Sequence, residues 1–241
     1  MAQERNRIRQ NRIRPIKDLK KPLLSVLDFI LPPTCLICHT SVNTQTAAQA
    51  LCPRCWGDLT PLAPDNPNVE AMLAETELDG FMAPFVYNET ASALVQKLKY
   101  NDGLRLARFM ARQMAPPLAS CDIVVPVPLH KGRLRKRKYN QSAALVWHLS
   151  RDVGCPANLE GLVRTRHTSS QVGQPARIRR KQLKEAFTAA RDVFAGKRVL
   201  LVDDVCTTGS TAHWCAVALK KAGAERVQLL TFAYVEPKLN L

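Results

Sequence analysis

The chain has 241 residues, 46% hydrophobic and 23% charged, which excludes a wholly disordered or collagen-like polymer and suits one α/β domain with a small accessory module. Its net charge of +15 favours anionic partners, whether phosphorylated metabolites, nucleic acid or acidic membrane surfaces, without choosing among them. Aromatic residues make up only 6%, too few to favour a surface that binds single strands by stacking.

Residues 1–30 read as a basic N-terminal arm followed by a short helix. The first 21 residues carry eight Lys or Arg against Glu4 and Asp18. This is either a solvated arm or one that contacts nucleic acid or carries a targeting address. The apolar run from Leu23 to Leu31 is broken by Ser25 and Asp28 and falls well short of the roughly 20 residues of a membrane span. Pro32-Pro33-Thr34-Cys35 follows it in place of the small-residue cleavage site of a secretory signal. No membrane span is expected, and a cytoplasmic location is.

Residues 31–62 contain Cys35, Cys38, Cys52 and Cys55 in the pattern C-x2-C-x13-C-x2-C. Each C-x-x-C knuckle turns two thiolates toward one point, so the pair supplies the tetrahedral sulfur set that structural Zn²⁺ prefers. The alternative is a disulfide framework, which a reducing compartment disfavours. So small a module has little core of its own, and loss of the metal is expected to unfold it while sparing the rest of the chain. Cys121, Cys155, Cys206 and Cys215 lie in apolar segments and read as small buried hydrophobes.

Pro61, Pro64 and Pro67, around Asp65 and Asn66, punctuate a linker. The main domain, residues 80–237, follows. Residues 81–87 predict a short strand. Residues 91–100 predict a helix with Leu94, Val95 and Leu98 at helical spacing, on which Lys97 and Lys99 project elsewhere. A second helix spans residues 104–114, and residues 121–129 form a strand running into prolines. Residues 140–153 predict a helix capped by Asn140. The last third predicts a strand (198–203), a helix (210–222, stopped by Gly223) and a strand (226–235). Strands alternating with helices imply an α/β fold whose mainly parallel sheet is covered on both faces.

The segment VLLVDDVCTTGST, Val199 to Thr211, carries the chemistry. A buried strand ends in Asp203 and Asp204, and a Thr/Ser/Gly-rich turn then opens a helix. Ligands of parallel sheets lie beyond the carboxyl ends of the strands, where both the acids and the turn fall. Thr207, Thr208, Gly209, Ser210 and Thr211 present amides and hydroxyls to a phosphate at the positive end of a helix dipole. Gly209 allows close backbone approach. The two carboxylates suit the vicinal hydroxyls of a ribose. Cys206, inside the turn, reads as a packing residue rather than a nucleophile, and the five histidines share no spacing that marks a catalytic group.

This segment resembles the 5-phosphoribosyl-1-pyrophosphate (PRPP) fingerprint of type I phosphoribosyltransferases. Residues 87–103, the V-P-V-P strand with its basic loop (124–142) and the R-x-R-x-T-x-x-Q segment (163–187) narrow the likeness. Together with the cysteine pairs, they are similar to the ComF family, the competence protein F homologues that join a zinc ribbon to such a domain. Lys138 replaces the family's usual Gly and Gln182 its usual Asn. Many relatives carry further Cys pairs; the two present here imply one zinc. Glutamine amidophosphoribosyltransferases are expected to be excluded, because a chain beginning Met1-Ala2 lacks their N-terminal cysteine and glutaminase domain.

The resemblance implies that the domain binds PRPP with Mg²⁺ and transfers its phosphoribosyl group to an acceptor that the sequence does not identify. Asp203 and Asp204 are then the catalytic acids. Residues 207–211 hold the 5-phosphate, and Lys131, Arg133, Arg135, Arg137, Arg164 and Arg166 face the pyrophosphate. A loop over residues 164–180 is expected to close over PRPP and exclude water. The family name implies competence or DNA-processing partners, with nucleic acid contacted by the arm and basic loop. The alternative is a non-catalytic protein that keeps the fold to sense PRPP or a nucleotide, or to bind DNA.

Overall fold

The computed structural model describes residues 34–42, 50–100, 103–115, 121–129, 132, 134–135, 139–165 and 186–237. The expectations for the N-terminal arm, for Lys131, Arg133, Arg137 and Arg166, and for the closing loop beyond residue 165 lie outside the described residues.

In chain order, the elements are α1 (Pro53–Gly57), α2 (Pro67–Ala74), β1 (Gly80–Met82), β2 (Phe85–Val86), α3 (Glu89–Tyr100), α4 (Gly103–Met114) and β3 (Ile123–Pro126). They continue with α5 (Gln141–Asp152), β4 (Leu162–Arg164), β5 (Phe187–Ala189), α6 (Arg191–Phe194), β6 (Arg198–Cys206), α7 (Ser210–Lys221) and β7 (Arg226–Tyr234). The main sheet runs β1-β7-β6-β3, with β2 also on β7, and every pairing in it is parallel. β4 and β5 form a separate antiparallel pair.

Two segments depart from the sequence-based expectation. Residues 81–87 form two short strands instead of one. Pro84 has no N–H to give a ladder, and its carbonyl turns to accept from the Leu62 amide (3.0 Å). The register with β7 continues unchanged across the gap, from Met82↔Leu230 to Phe85↔Ala233. Pro67 does not prolong a linker but opens α2. Asn66 caps that helix by accepting from the Asn68 amide (3.0 Å), and a Pro at the first position loses no hydrogen bond.

β6 lies between β3 and β7, and Val199 to Val202 are buried on both faces. Leu200 and Val202 pack with Leu94, Leu98, Met110, Leu145 and Leu149 from α3, α4 and α5. Val199 and Leu201 pack on the other face with Cys215, Ala216 and Leu219 of α7. This period of two fixes the faces from which side chains leave the strand's carboxyl end.

The cysteine module does not stand apart. Cys35, Val42, Leu51, Cys52, Cys55 and Leu59 belong to the same apolar cluster as the inner faces of α3 and α4. Trp56 meets Phe85 and Phe109 edge-on, each at 6.3 Å between ring centroids. This packing argues against the expectation that the module unfolds alone, since unfolding it would expose the larger domain's own core. Leu51→Ala, at a fully buried site, is expected to cost about 2–5 kcal/mol. In calorimetry it should lower the single main transition rather than split off an early one.

Candidate functional site

β6 runs three residues past the predicted end at 203, to Cys206, so its two acids lie within its last stretch of pairing, and alternation sends them to opposite faces. Asp204 follows Leu200 and Val202 toward the helices, where it is 5% exposed and meets Lys99 Nζ of α3 at 2.9 Å, with Gln141 Nε2 of α5 at 3.5 Å. The sequence reading sets Lys99 off the apolar face of α3 and gives it no part in the site. What it missed is that the last turn of α3 reaches the end of β6, a long-range contact with no local signal.

Asp203 follows Val199 and Leu201 into a cavity of about 100 Å³ that it lines together with Cys206, Thr207, Thr208, Gly209, Ser210, Thr211 and Thr231. Its Oδ1 accepts from Ser142 Oγ (2.8 Å) and from the Asp204 amide (2.9 Å). Withdrawal from water, with the negative Asp204 beside it, raises Asp203 to about 7 despite those two hydrogen bonds. Ser142 stands where it does because Asn140 caps α5, accepting from the Ser142 amide (3.1 Å) while donating to the Val127 carbonyl (3.2 Å).

The turn after β6 brings the five predicted anion-binding residues to one wall of this cavity. Gly209 adopts φ +68° as the N-cap of α7, and Thr208 Oγ1 and Ser210 Oγ lie 2.8 Å apart. The first amides of α7 have no acceptor within their own helix and suit an anion. A Cβ on Gly209 would stand 2.6 Å from Met72 Sδ, so α2 packs directly behind the turn. Glycine is required there for its backbone conformation and for this close approach. Cys206 is buried, 3.9 Å from Met72 Sδ, and burial pushes its thiol up to about 12, which suits packing and not nucleophilic attack.

Of the predicted pyrophosphate residues, two are described. Arg135 is exposed, and the Arg164 guanidinium lies 5.4 Å from the Phe187 ring centroid, joining β4 to β5.

The sulfur ligand atoms of Cys35, Cys38, Cys52 and Cys55 all lie within 4.8 Å of one another, with Cys38 and Cys52 Sγ 3.6 Å apart. Tetrahedral zinc with bonds of about 2.3 Å holds its sulfurs about 3.8 Å apart, so the cluster fits the metal. A hydrogen bond with the Thr40 side chain (3.2 Å) helps lower Cys38 to about 6, while burial and the neighbouring sulfurs push Cys55 up to about 12. A cation among them is what makes four thiolates compatible. From α3, Lys97 Nζ donates to the Leu36 carbonyl and lies 3.3 Å from His39 Nε2.

A phosphoribosyl transferase domain model matches residues 101–238 and a double zinc ribbon domain model matches residues 26–67. The chain is thus a type I phosphoribosyltransferase-fold protein carrying a structural zinc ribbon. It is 37% identical to Competence protein F of Haemophilus influenzae over 155 residues, 59% of this chain and 67% of that protein. It is 30% identical to the DNA utilization protein YhgH of Escherichia coli over 204 residues, 81% of this chain and 87% of that one. The chain belongs to the ComF family. Among solved structures, it matches a glutamine PRPP amidotransferase from B. subtilis, complexed with ADP and GMP, at 24% identity and a TM-score of 0.40, covering 56% of this chain and 30% of that one. No helix among the described residues is long and apolar enough to cross a membrane.

Metal analysis of the purified protein is expected to give one zinc per chain and to lose it in Cys35→Ser/Cys38→Ser; unchanged zinc content in that variant would remove the four cysteines as its ligands. Asp203 yields a second expectation. An unfolded Asp titrates near about 3.9, so between roughly pH 4 and 7 the folded carboxyl holds a proton that the unfolded chain releases, and stability falls as pH rises through that window. Asp203→Asn removes this dependence while keeping an acceptor for Ser142. Its melting temperature should exceed wild type at pH 8 and match it near pH 4.

Proposed function

We propose that the chain binds PRPP with Mg²⁺ at the carboxyl end of β6 and transfers its phosphoribosyl group to an acceptor in the handling of DNA. The observation that carries this reading is the shared cavity, in which a carboxylate and the amide-rich start of α7 line one space. The phosphoribosyl transferase domain match, the family membership and the DNA utilization named for a relative support it.

Residues 207–211 hold the 5-phosphate through amides and hydroxyls. Asp203 accepts from a ribose hydroxyl. Asp204 acts beside it and keeps the Lys99 ammonium at the rim of the site. In transfer, the bond from C1 of the sugar to pyrophosphate breaks with its electron pair leaving on oxygen, and the acceptor's lone pair forms the new bond at C1. Mg²⁺, when bound with PRPP, offsets charge on the leaving group. Lys131, Arg133, Arg135, Arg137, Arg164 and Arg166 are proposed to stabilise the charge that grows on the departing pyrophosphate, where binding accelerates reaction. Residues 164–180 exclude water from the cation-like sugar centre. The arm and basic loop contact nucleic acid, competence or DNA-processing proteins are the partners, and the cytoplasm is the location.

Calorimetric titration of PRPP with Mg²⁺ is expected to show binding to wild type. It should be weakened roughly tenfold to a hundredfold in Asp203→Asn, since one charged hydrogen bond is worth about 1–3 kcal/mol. Circular dichroism checks that the variant remains folded. Equal affinity in the folded variant would overturn the assignment of Asp203. Pyrophosphate release across a panel of acceptors separates transferase from sensor: binding without release assigns the non-catalytic role.

A further inference from the structure

Two cysteines outside the zinc cluster and the candidate site face one another. Cys121 lies just before β3, and Cys155 lies just after α5, 34 positions along the chain, with their Sγ atoms 2.8 Å apart. The metal-site pair Cys38 and Cys52 stands farther apart, at 3.6 Å. A disulfide bond is about 2.05 Å, so closure needs a movement of less than about 1 Å.

The backbone already holds the two segments side by side. Val124 and Ala157 form a parallel bridge, the Val124 amide donates to the Pro156 carbonyl (2.8 Å) and the Asn158 amide donates to the Val124 carbonyl (2.9 Å). Cys155 is buried, and burial pushes its thiol up to about 12, while Cys121 is partly exposed. The two thiols thus divide into one that meets solvent and one that waits behind it.

We propose that Cys121 and Cys155 form a reversible disulfide when a low-molecular-weight disulfide such as oxidised glutathione is present. The Cys121 sulfur attacks one sulfur of the oxidant, forming a mixed disulfide and releasing one glutathione. The Cys155 sulfur then attacks Cys121, forming the protein disulfide and releasing the second glutathione. Two protein thiols are oxidised, one glutathione disulfide is reduced, and the two thiol protons leave on the two glutathiones. In reducing conditions the pair stays a dithiol. The bond closes a loop around β3, the basic segment and α5, the unit that carries Ser142 and Gln141 to the two acids. Because the linkage lies at the amino end of β3, it braces this unit without entering the cavity.

The test uses the full, zinc-loaded chain equilibrated with mixtures of reduced and oxidised glutathione, quenched in acid, alkylated and digested with trypsin. Cys121 and Cys155 fall in separate tryptic peptides, residues 113–131 and 152–164, neither of which contains a zinc-cluster cysteine. A cross-linked pair of these peptides, two hydrogens lighter than their sum, is expected to accumulate with oxidant and vanish on reduction. Cys155→Ser should trap glutathione on Cys121. The oxidised wild type should melt about 5–10 °C above the reduced form, and the oxidant-dependent gain should disappear in Cys121→Ser. Recovery of both peptides separately across the whole series, alkylated or glutathionylated, would overturn the proposal, and that result is independent of PRPP binding.

Discussion

The Lys99–Asp204 ion pair is the contact on which the site's arrangement turns. Asp204 sits near the end of a strand buried on both faces and is itself 5% exposed, so a lone carboxylate there would carry a heavy desolvation cost. The ammonium at 2.9 Å offsets that cost and ties the last turn of α3 to the strand end. Removing one partner of such a pair leaves a buried charge behind, which is why breaking it is far costlier than never forming it. With Asp204 so committed, Asp203 is the acid left facing the cavity, and its raised pKa reflects first its withdrawal from water and then the neighbouring Asp204 carboxylate.

α3 makes this arrangement more than local. Two residues before Lys99, Lys97 reaches the first cysteine knuckle, at the Leu36 carbonyl and beside His39. The inner face of the same helix, Leu94, Val95 and Leu98, packs in one core with Leu51, Cys52 and Cys55. The zinc ribbon and the candidate site therefore share a helix. α2 plays the corresponding part on the other face, with Met72 behind Gly209 and Cys206 fixing the turn from which α7 starts.

The sequence made the main sheet legible because its signals are local. The unbroken apolar run of β6, Asn140 as an N-cap and Gly223 as a stop each act within a few residues, and the structure agrees with them to within a few positions. The anion-receptive turn was legible for the same reason, since a strand end, a glycine and the hydroxyl-bearing residues lie in one segment. What was not legible depends on distance. Lys99 carries no local mark of its pairing with a residue more than a hundred positions away. α2 was hidden because a cluster of prolines signals a linker unless one of them happens to occupy the first turn of a helix. The sharing of core between ribbon and domain is likewise invisible to spacing, which reports the ligand set but not what its outer face packs against.

The proposed site is tested most directly by a crystal structure of the chain grown with PRPP and Mg²⁺. The 5-phosphate is expected on the amides and hydroxyls of residues 207–211, with a ribose hydroxyl within hydrogen-bond distance of Asp203 and with Lys99 still paired to Asp204. Ligand density anywhere else on the molecule, with this cavity empty in a crystal saturated with PRPP, would contradict it.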